Sequence, residues 1–228
     1  MTEVLTVAGM RAAERAAMES GRVTGLELME RAGQGAVEAI LEHWPEGRRA
    51  LVLCGPGNNG GDGFVVARIL AGLGWQVEVL LLGDADRLPP DAKVNCDRWR
   101  GMGAVSGLTD ARMDGYAGDN PGVDVAVDAI FGIGLTRPFQ SLGRTQMELN
   151  LWAAASPRDS RFPGVVSIDV PSGMDADTGE YPGYGQENPL DSCILANMTV
   201  TFHRPKAGHL AGHGPAACGK LIVKDIGL

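Results

Sequence analysis

Three stretches of the chain pack polar side chains among glycines just where an apolar run ends. They are residues 55–63 (GPGNNGGDG), 128–138 (DAIFGIGLTRP) and 169–175 (DVPSGMD). The first contains the GxGxxG spacing at Gly55, Gly57 and Gly60. Glycines there let backbone N–H groups approach a phosphate, and the start of a following helix favours an anion. The same spacing also serves a plain strand-to-helix turn. Asn58, Asn59 and Asp62, however, crowd polar groups into it that a structural turn does not need. Asp62 falls at the expected helix start, where a carboxylate suits a cap as well as catalysis. Asp128 and Asp169 each follow a strongly apolar run, VDVAV and VVSI. A carboxylate in that position is partly desolvated and needs hydrogen bonds, a cation or a proton. Each alone reads as a loop cap; together, beside two glycine-rich turns, they read as a site. Ser172 adds a hydroxyl oxygen, but no G-x-S-x-G elbow surrounds it. His203, His209 and His213 cluster late, with Cys218 beyond, at a spacing that matches no zinc finger. Lys206, in HRPKAG, is either a cation for a phosphate or a solvated loop lysine.

The elements that must position these residues follow from the hydrophobic periodicity. Residues 6–20 read as a helix stopped by Gly21. Thr24 and Glu27 have capping-box spacing and open a second helix with Leu28, Met29, Ala32, Ala36, Ala39 and Ile40 on its apolar face. Pro45 and Gly47 end it. Short apolar runs then predict strands at 50–54, 77–82, 123–127, 165–169, 198–202 and 221–223, with helices at 64–73, 90–100 and 146–155. Strands alternating with helices imply right-handed βαβ crossovers and a mainly parallel sheet covered on both faces. In such a sheet ligands bind beyond the carboxyl ends of the strands. That edge is where all three glycine-rich turns fall. Residues 115–122 and 173–190 are long glycine-rich loops, and neither reads as a domain linker, so residues 1–228 form one domain.

Composition narrows the classes. With 228 residues, 44% of them hydrophobic and 21% charged, the chain suits one globular domain with a large core. No apolar run is long enough for a transmembrane helix. Glu3, Arg11, Glu14 and Arg15 interrupt any signal-peptide core near the N-terminus. A net charge of −8 gives no electrostatic footprint for nucleic acid or an anionic membrane. Cys54, Cys96, Cys193 and Cys218 form no CxxC pair and suit free thiols in a reducing, cytoplasmic setting.

The motifs together resemble the NAD(P)H-hydrate epimerase family, the YjeF N-terminal domain family. The resemblance rests on LMERAG (28–33), CGPGNNGGDGFVVARIL (54–70), DAIFGIGLTRPF (128–139), SIDVPSGMDADTG (167–179), VTFHRPKAGHL (200–210) and the closing DIGL (225–228). It implies a Rossmann-like three-layer α/β/α sandwich with a mainly parallel central sheet, preceded by two helices. It also implies an enzyme that interconverts the R and S forms of hydrated NADH or NADPH at carbon 6 of the nicotinamide ring and feeds a dehydratase. The resemblance places the hydrate on Asn58, Asn59, Gly60, Gly61 and Asp62, on Gly132, Ile133, Gly134, Leu135, Thr136, Arg137 and Pro138, and on Asp169. It places a potassium ion on Asn59, Asp128 and Ser172, oxygen donors of the kind a hard cation takes. A homodimer is implied too. Residues 181–191, and His203 and His209 within HRPKAGHL, depart from the family's usual pattern. In bifunctional relatives a dehydratase begins just after DIGL, so the chain is a stand-alone epimerase or a detached half of one.

Chemically, the hydrate is a carbinolamine, and epimerisation through a planar iminium needs an acid for the departing hydroxyl and a base for the returning water. One carboxylate in turn serves both needs, and Asp169 is the candidate because Asp128 is assigned to the cation. Two other readings stand beside this one. An NAD-dependent oxidoreductase would use the same glycines with Asp84 on the ribose, though Pro56 and the NNGGD run suit a different ligand pose. A nucleotide-binding sensor or partner protein would need no catalysis. No basic cluster clearly reads a 2′-phosphate, so the choice between the NADH and NADPH hydrates stays open.

Overall fold

The computed structural model describes residues 3–118, 121–135, 142–157, 159–182 and 193–228. Two helices lead, α1 (Val7–Glu19) and α2 (Gly25–His43). Thr6 caps α1 by accepting from the Gly9 N–H, and the expected capping box of Thr24 and Glu27 opens α2. There follow β1 (Arg49–Cys54), α3 (Asn58–Gly72), β2 (Gln76–Leu81), α4 (Pro90–Arg100), β3 (Val105–Gly107), α5 (Asp110–Met113), β4 (Val125–Ala129), α6 (Gly143–Ala155), β5 (Gly164–Ile168), β6 (Met198–Phe202), α7 (Ala207–Leu210), α8 (Gly214–Ala217) and β7 (Lys220–Lys224).

The seven strands form one sheet in the order β3-β2-β1-β4-β5-β6-β7, every pairing parallel. Alternate residues feed opposite layers. Ala50, Val52 and Cys54 of β1 and Val125, Val127 and Ala129 of β4 pack with α2, α3 and α4. Leu51, Leu53 and Ala126 pack with Met113 of α5 and with Leu149 and Trp152 of α6. This is the expected three-layer α/β/α sandwich. Strand order reverses between β1 and β4, because the chain runs outward from β1 to β3 and then returns to β4. That switch point opens a crevice at the carboxyl ends, the standard ligand position in such sheets. Among the described residues no helix is long and apolar enough to cross a membrane.

Three expectations need correction. The first crossover helix starts at Asn58, six residues before the predicted start at 64, so the NNGGD run is its first turns. Glycines hid the helix because they carry no periodic signal. They are there for contact: a methyl on Gly63 would sit 2.7 Å from Ala129 Cβ and 2.9 Å from Cys54 Sγ, so α3 lies directly on the sheet. Asp128 lies inside β4, not past its end, because β4 runs two residues beyond the predicted 127. Strand β3 and helix α5 were not predicted; at three and four residues they are too short for periodicity to show.

Candidate active site

A pocket of about 490 Å³ sits over the switch point. Its floor is built from the ends of β1, β4 and β5, and α1 and α2 close over it with Met10, Glu14, Met18, Leu28 and Met29. Of the residues singled out in the sequence, Asn58, Asn59, Asp62, Gly132, Ile133, Gly134, Leu135 and Asp169 all line this one pocket. Gly60 and Gly61 are turned toward packing. A side chain on Gly60 would strike the Gly55 carbonyl, and one on Gly61 would meet Met29 and Ala92. Thr136, Arg137 and Pro138 lie outside the described residues, as do residues 183–191 of the loop that departs from the family pattern. Asp62 does not cap α3. Gly57 is the N-cap residue and gives no side-chain hydrogen bond, so the helix presents an uncapped start on the pocket wall. Such a terminus favours a negative ligand group.

Asp169 is the first residue beyond β5 and turns the chain sharply, with φ 68°. For a residue with a Cβ this left-handed conformation costs on the order of 1–3 kcal/mol and persists only where the surroundings enforce it. They do so here. The Asp169 N–H donates to the Val200 carbonyl at 2.8 Å, and His209 Nε2 bonds the Asp169 carbonyl at 2.9 Å. His209 Nδ1 accepts from the Lys206 N–H at 3.0 Å, so the proton of the neutral ring sits on Nε2. Burial lowers the His209 pKa to about 4, against the opposing charge of Asp169.

The Asp169 carboxylate is held just as firmly. Lys206 Nζ lies 2.8 Å from Oδ1, Thr201 Oγ1 donates to Oδ1 at 3.3 Å, and the Ile133 N–H donates to Oδ2 at 3.1 Å. Lys206 is fully buried, and its other two protons go to Thr201 Oγ1 at 2.8 Å and the Phe202 carbonyl at 3.2 Å. It is therefore no solvated loop lysine. Burial would raise the Asp169 pKa, but the Lys206 charge and hydrogen bond, with the Ile133 N–H, outweigh it and hold the carboxyl below its ordinary value. Two other carboxyls face the same space in a different state. Burial first, then the charge of Asp169 and that of Glu14, push Asp62 well up. Glu14 is raised too, by burial and then by Asp169.

Asp128 and Ser172 lie beneath the pocket, both fully buried. Ser172 Oγ donates to Asp128 Oδ1 at 2.5 Å, while the Ser172 N–H and Ser167 Oγ each donate to Oδ2 at 2.9 Å. Burial still raises the Asp128 pKa, with these bonds working the other way. The Phe131 N–H donates to Ser172 Oγ at 2.8 Å. One residue on, a methyl on Gly132 would sit 3.0 Å from Asp169 Oδ2 and 3.1 Å from Asn59 Oδ1. The 130–132 segment thus joins Asp128 and Ser172 to Asn59. Both amide atoms of Asn59 are buried without a hydrogen-bond partner. Buried polar atoms in native folds are rarely left so unless a ligand, ion or water meets them. Among the described residues no cluster of three His, Cys, Asp or Glu could hold a metal ion. The oxygen set of Asn59, Asp128 and Ser172 is of another kind, and it fits a hard monovalent cation.

Other residues stand apart from the pocket. Asp84 accepts from the Asp86 N–H at 2.9 Å and lines a separate shallow cleft at the β2 end. His213 stacks on Tyr181 with ring centroids 4.8 Å apart. Sequence reading left the role of Lys206 open, named His209 only as one of a late histidine cluster, and missed Glu14 and Thr201. For Glu14 a signal existed: Met10, Glu14 and Met18 are spaced four apart, which puts a carboxyl between two methionines on one helical stripe.

With this geometry in hand, known proteins give a consistent answer. The family described as YjeF-related protein N-terminus matches residues 25–208. A protein of Rhodobacter capsulatus named NAD(P)H-hydrate epimerase is 48% identical, with all of both chains covered. One of Roseobacter litoralis with the same name is 43% identical, again over all of both chains. This chain belongs to the YjeF-related N-terminal family. Longer members exist: a protein of Coxiella burnetii named bifunctional NAD(P)H-hydrate repair enzyme Nnr is 36% identical over 96% of this chain but 40% of its own length. The crystal structure of yeast ynu0 superposes with a TM-score of 0.71 at 24% identity, covering 91% of this chain and 83% of that one, and so shares this fold. The family match begins at residue 25, so the pocket wall from α1, Glu14 included, lies outside it.

Proposed function

We propose that this chain interconverts the R and S forms of hydrated NADH and NADPH at carbon 6 of the nicotinamide ring, a cofactor-repair isomerisation. The observation that carries the reading is the Asp169–Lys206 pair, an ionised carboxylate fixed in the pocket at the switch point. The names of the full-length relatives agree with it. Pocket volume supports it as well, since about 490 Å³ falls in the usual range of about 300–1,000 Å³ for small-molecule sites.

Carbon 6 of the hydrate bears a hydroxyl next to the ring nitrogen. The nitrogen lone pair expels that hydroxyl as water and leaves a planar iminium, to which water adds from either face. Asp169, ionised at neutral pH, takes the proton of the incoming water. The Ile133 N–H and Lys206 fix its orientation, so the base costs no reorganisation when the reaction occurs. The uncapped start of α3 suits the phosphates of the dinucleotide. An oxidoreductase reading fares worse, because Asp84, its ribose ligand, lines a different cleft.

Asn59, Asp128 and Ser172 would hold a potassium ion, with the unpartnered Asn59 amide oxygen as the strongest indication. When bound, the ion supplies positive charge that offsets Asp128 and ties together the chain after β1, β4 and β5. A homodimer is proposed too, and light scattering at micromolar concentration tests it. The S hydrate then passes to a dehydratase, a second repair step that suits relatives named bifunctional NAD(P)H-hydrate repair enzymes. The activity test is direct: R hydrate incubated with the protein, and S hydrate followed by chiral chromatography. An S peak growing no faster than in the protein-free blank rejects the proposal.

A further inference from the structure

An acid is needed to release the hydroxyl, and Asp169 is badly placed to be it. Three donors hold its carboxyl in the ionised form, so at neutral pH it seldom carries a proton. The proton has to start elsewhere in the pocket. Two pocket carboxyls remain, Glu14 and Asp62. Glu14 is raised as well, by burial and then by Asp169, but the charges of Lys206 and of Arg11, one helical turn away on α1, favour its ionised form. The Asp62 carboxyl has no hydrogen-bond or ion-pair partner among the described residues, and it projects from the second turn of α3 into the pocket. Around it stand Glu14 and Arg11 from α1, Asp91 from α4, Asp169 and Lys206 beyond β5 and β6, and Cys54 at the end of β1. In this set carboxyls outnumber free cations, because Lys206 is committed to Asp169.

We propose that Asp62 is the general acid of the reaction and Asp169 its base, so that the site works with two carboxyls in opposite protonation states. This rests on the epimerase reading above. The Asp62 proton passes to the carbon 6 hydroxyl as the C–O bond breaks and the nitrogen lone pair forms the C=N bond; one water leaves. A second water then bonds to carbon 6 on the other face, the C=N pair returns to nitrogen, and its proton goes to Asp169. The cycle ends with Asp62 ionised and Asp169 protonated; Asp169 then gives its proton to solvent and Asp62 takes one up, which restores the starting state. The state found here, with Asp169 locked in an ion pair and Asp62 unpaired, is the starting state. Groups whose surroundings drive their proton affinities apart are the usual mark of an acid–base pair.

The test compares wild type with Asp62→Ala and Asp62→Asn, following epimerisation of the R hydrate with and without added acetic acid at constant pH. General acids contribute about 10²–10⁴-fold, so both variants should lose at least about 100-fold in kcat with KM changed little. Acetic acid should restore part of the rate to Asp62→Ala, in proportion to the concentration of its protonated form, because it fits the space left by the side chain. Circular dichroism melts confirm that the variants are folded, and the isosteric Asp62→Asn covers the case of an unfolded alanine variant. A folded variant that keeps its rate within about threefold overturns the assignment. So does a folded Asp62→Ala that loses its rate but gains nothing from the acid, as a purely structural role predicts. A wild-type protein with no epimerase activity refutes the functional reading instead.

Discussion

Replacing Lys206 by methionine tests the arrangement at its centre. The substitution keeps the side-chain volume and removes the charge. In the wild-type protein three forces act on Asp169: burial raises its pKa, and the Lys206 charge and the donated hydrogen bonds lower it by more. Without the lysine, burial is opposed by the Ile133 N–H and then by His209, and Asp169 should titrate above its ordinary value. Leaving one member of a buried pair uncompensated typically costs about 3–5 kcal/mol. For a domain of this size each kcal/mol moves Tm by about 2–4 °C, so Lys206→Met should lower Tm by about 6–20 °C at pH 7. The pH dependence fixes the cause. Wild-type Asp169 has a folded pKa below its unfolded one, so its contribution is complete above the unfolded value and is lost as pH falls through the folded value. In the variant the folded pKa lies above the unfolded one. Its penalty is then largest at high pH and shrinks as Asp169 takes up a proton on acidification. Melts of both proteins should therefore draw together as the pH is lowered from 7. A gap under about 2 °C at pH 7, or one that widens on acidification, refutes the claim that Lys206 acts by holding Asp169 ionised.

Further outcomes follow from single contacts. Gly132→Ala puts a methyl at 3.0–3.1 Å from Asp169 Oδ2 and Asn59 Oδ1, so it should cost about 1–3 kcal/mol and weaken hydrate binding, read by melting and by KM. Potassium at about 100 Kd should add about 2.7 kcal/mol of stability, seen as a higher Tm than in lithium at equal ionic strength; Asp128→Ala should abolish the difference, and equal melts of the wild type in both salts would remove the cation from the site. Thr24→Ala breaks the capping box of α2 and should cost about 1 kcal/mol without changing kcat, since the cap lies outside the pocket.

Much of this architecture was legible in the sequence because the physics that encodes it is local. Capping of α2, the Met198–Phe202 strand and the Pro90–Arg100 helix follow from a cap pair, an apolar run and a proline at a helix start. The NNGGD run misled for an equally local reason: five of the six residues after Asn58 in α3 are glycine or polar, and only the sheet beneath explains why glycine belongs there. Pocket residues that came from loops after β1, β4 and β5 could be foreseen, because the parallel topology sends all three to one edge. Lys206 and Glu14 could not be weighed in the same way. Their meaning depends on what faces them across the fold: Lys206 meets Asp169 only once the chain after β5 and β6 is brought together, and Glu14 reaches the pocket because α1 closes over it. Burial sets the cost of each charge, and partners distant in sequence decide whether it is ionised. The spacing of residues therefore located the site, whereas the protonation states on which its chemistry turns became visible only when α1, α3 and the chain after β5 and β6 were brought together.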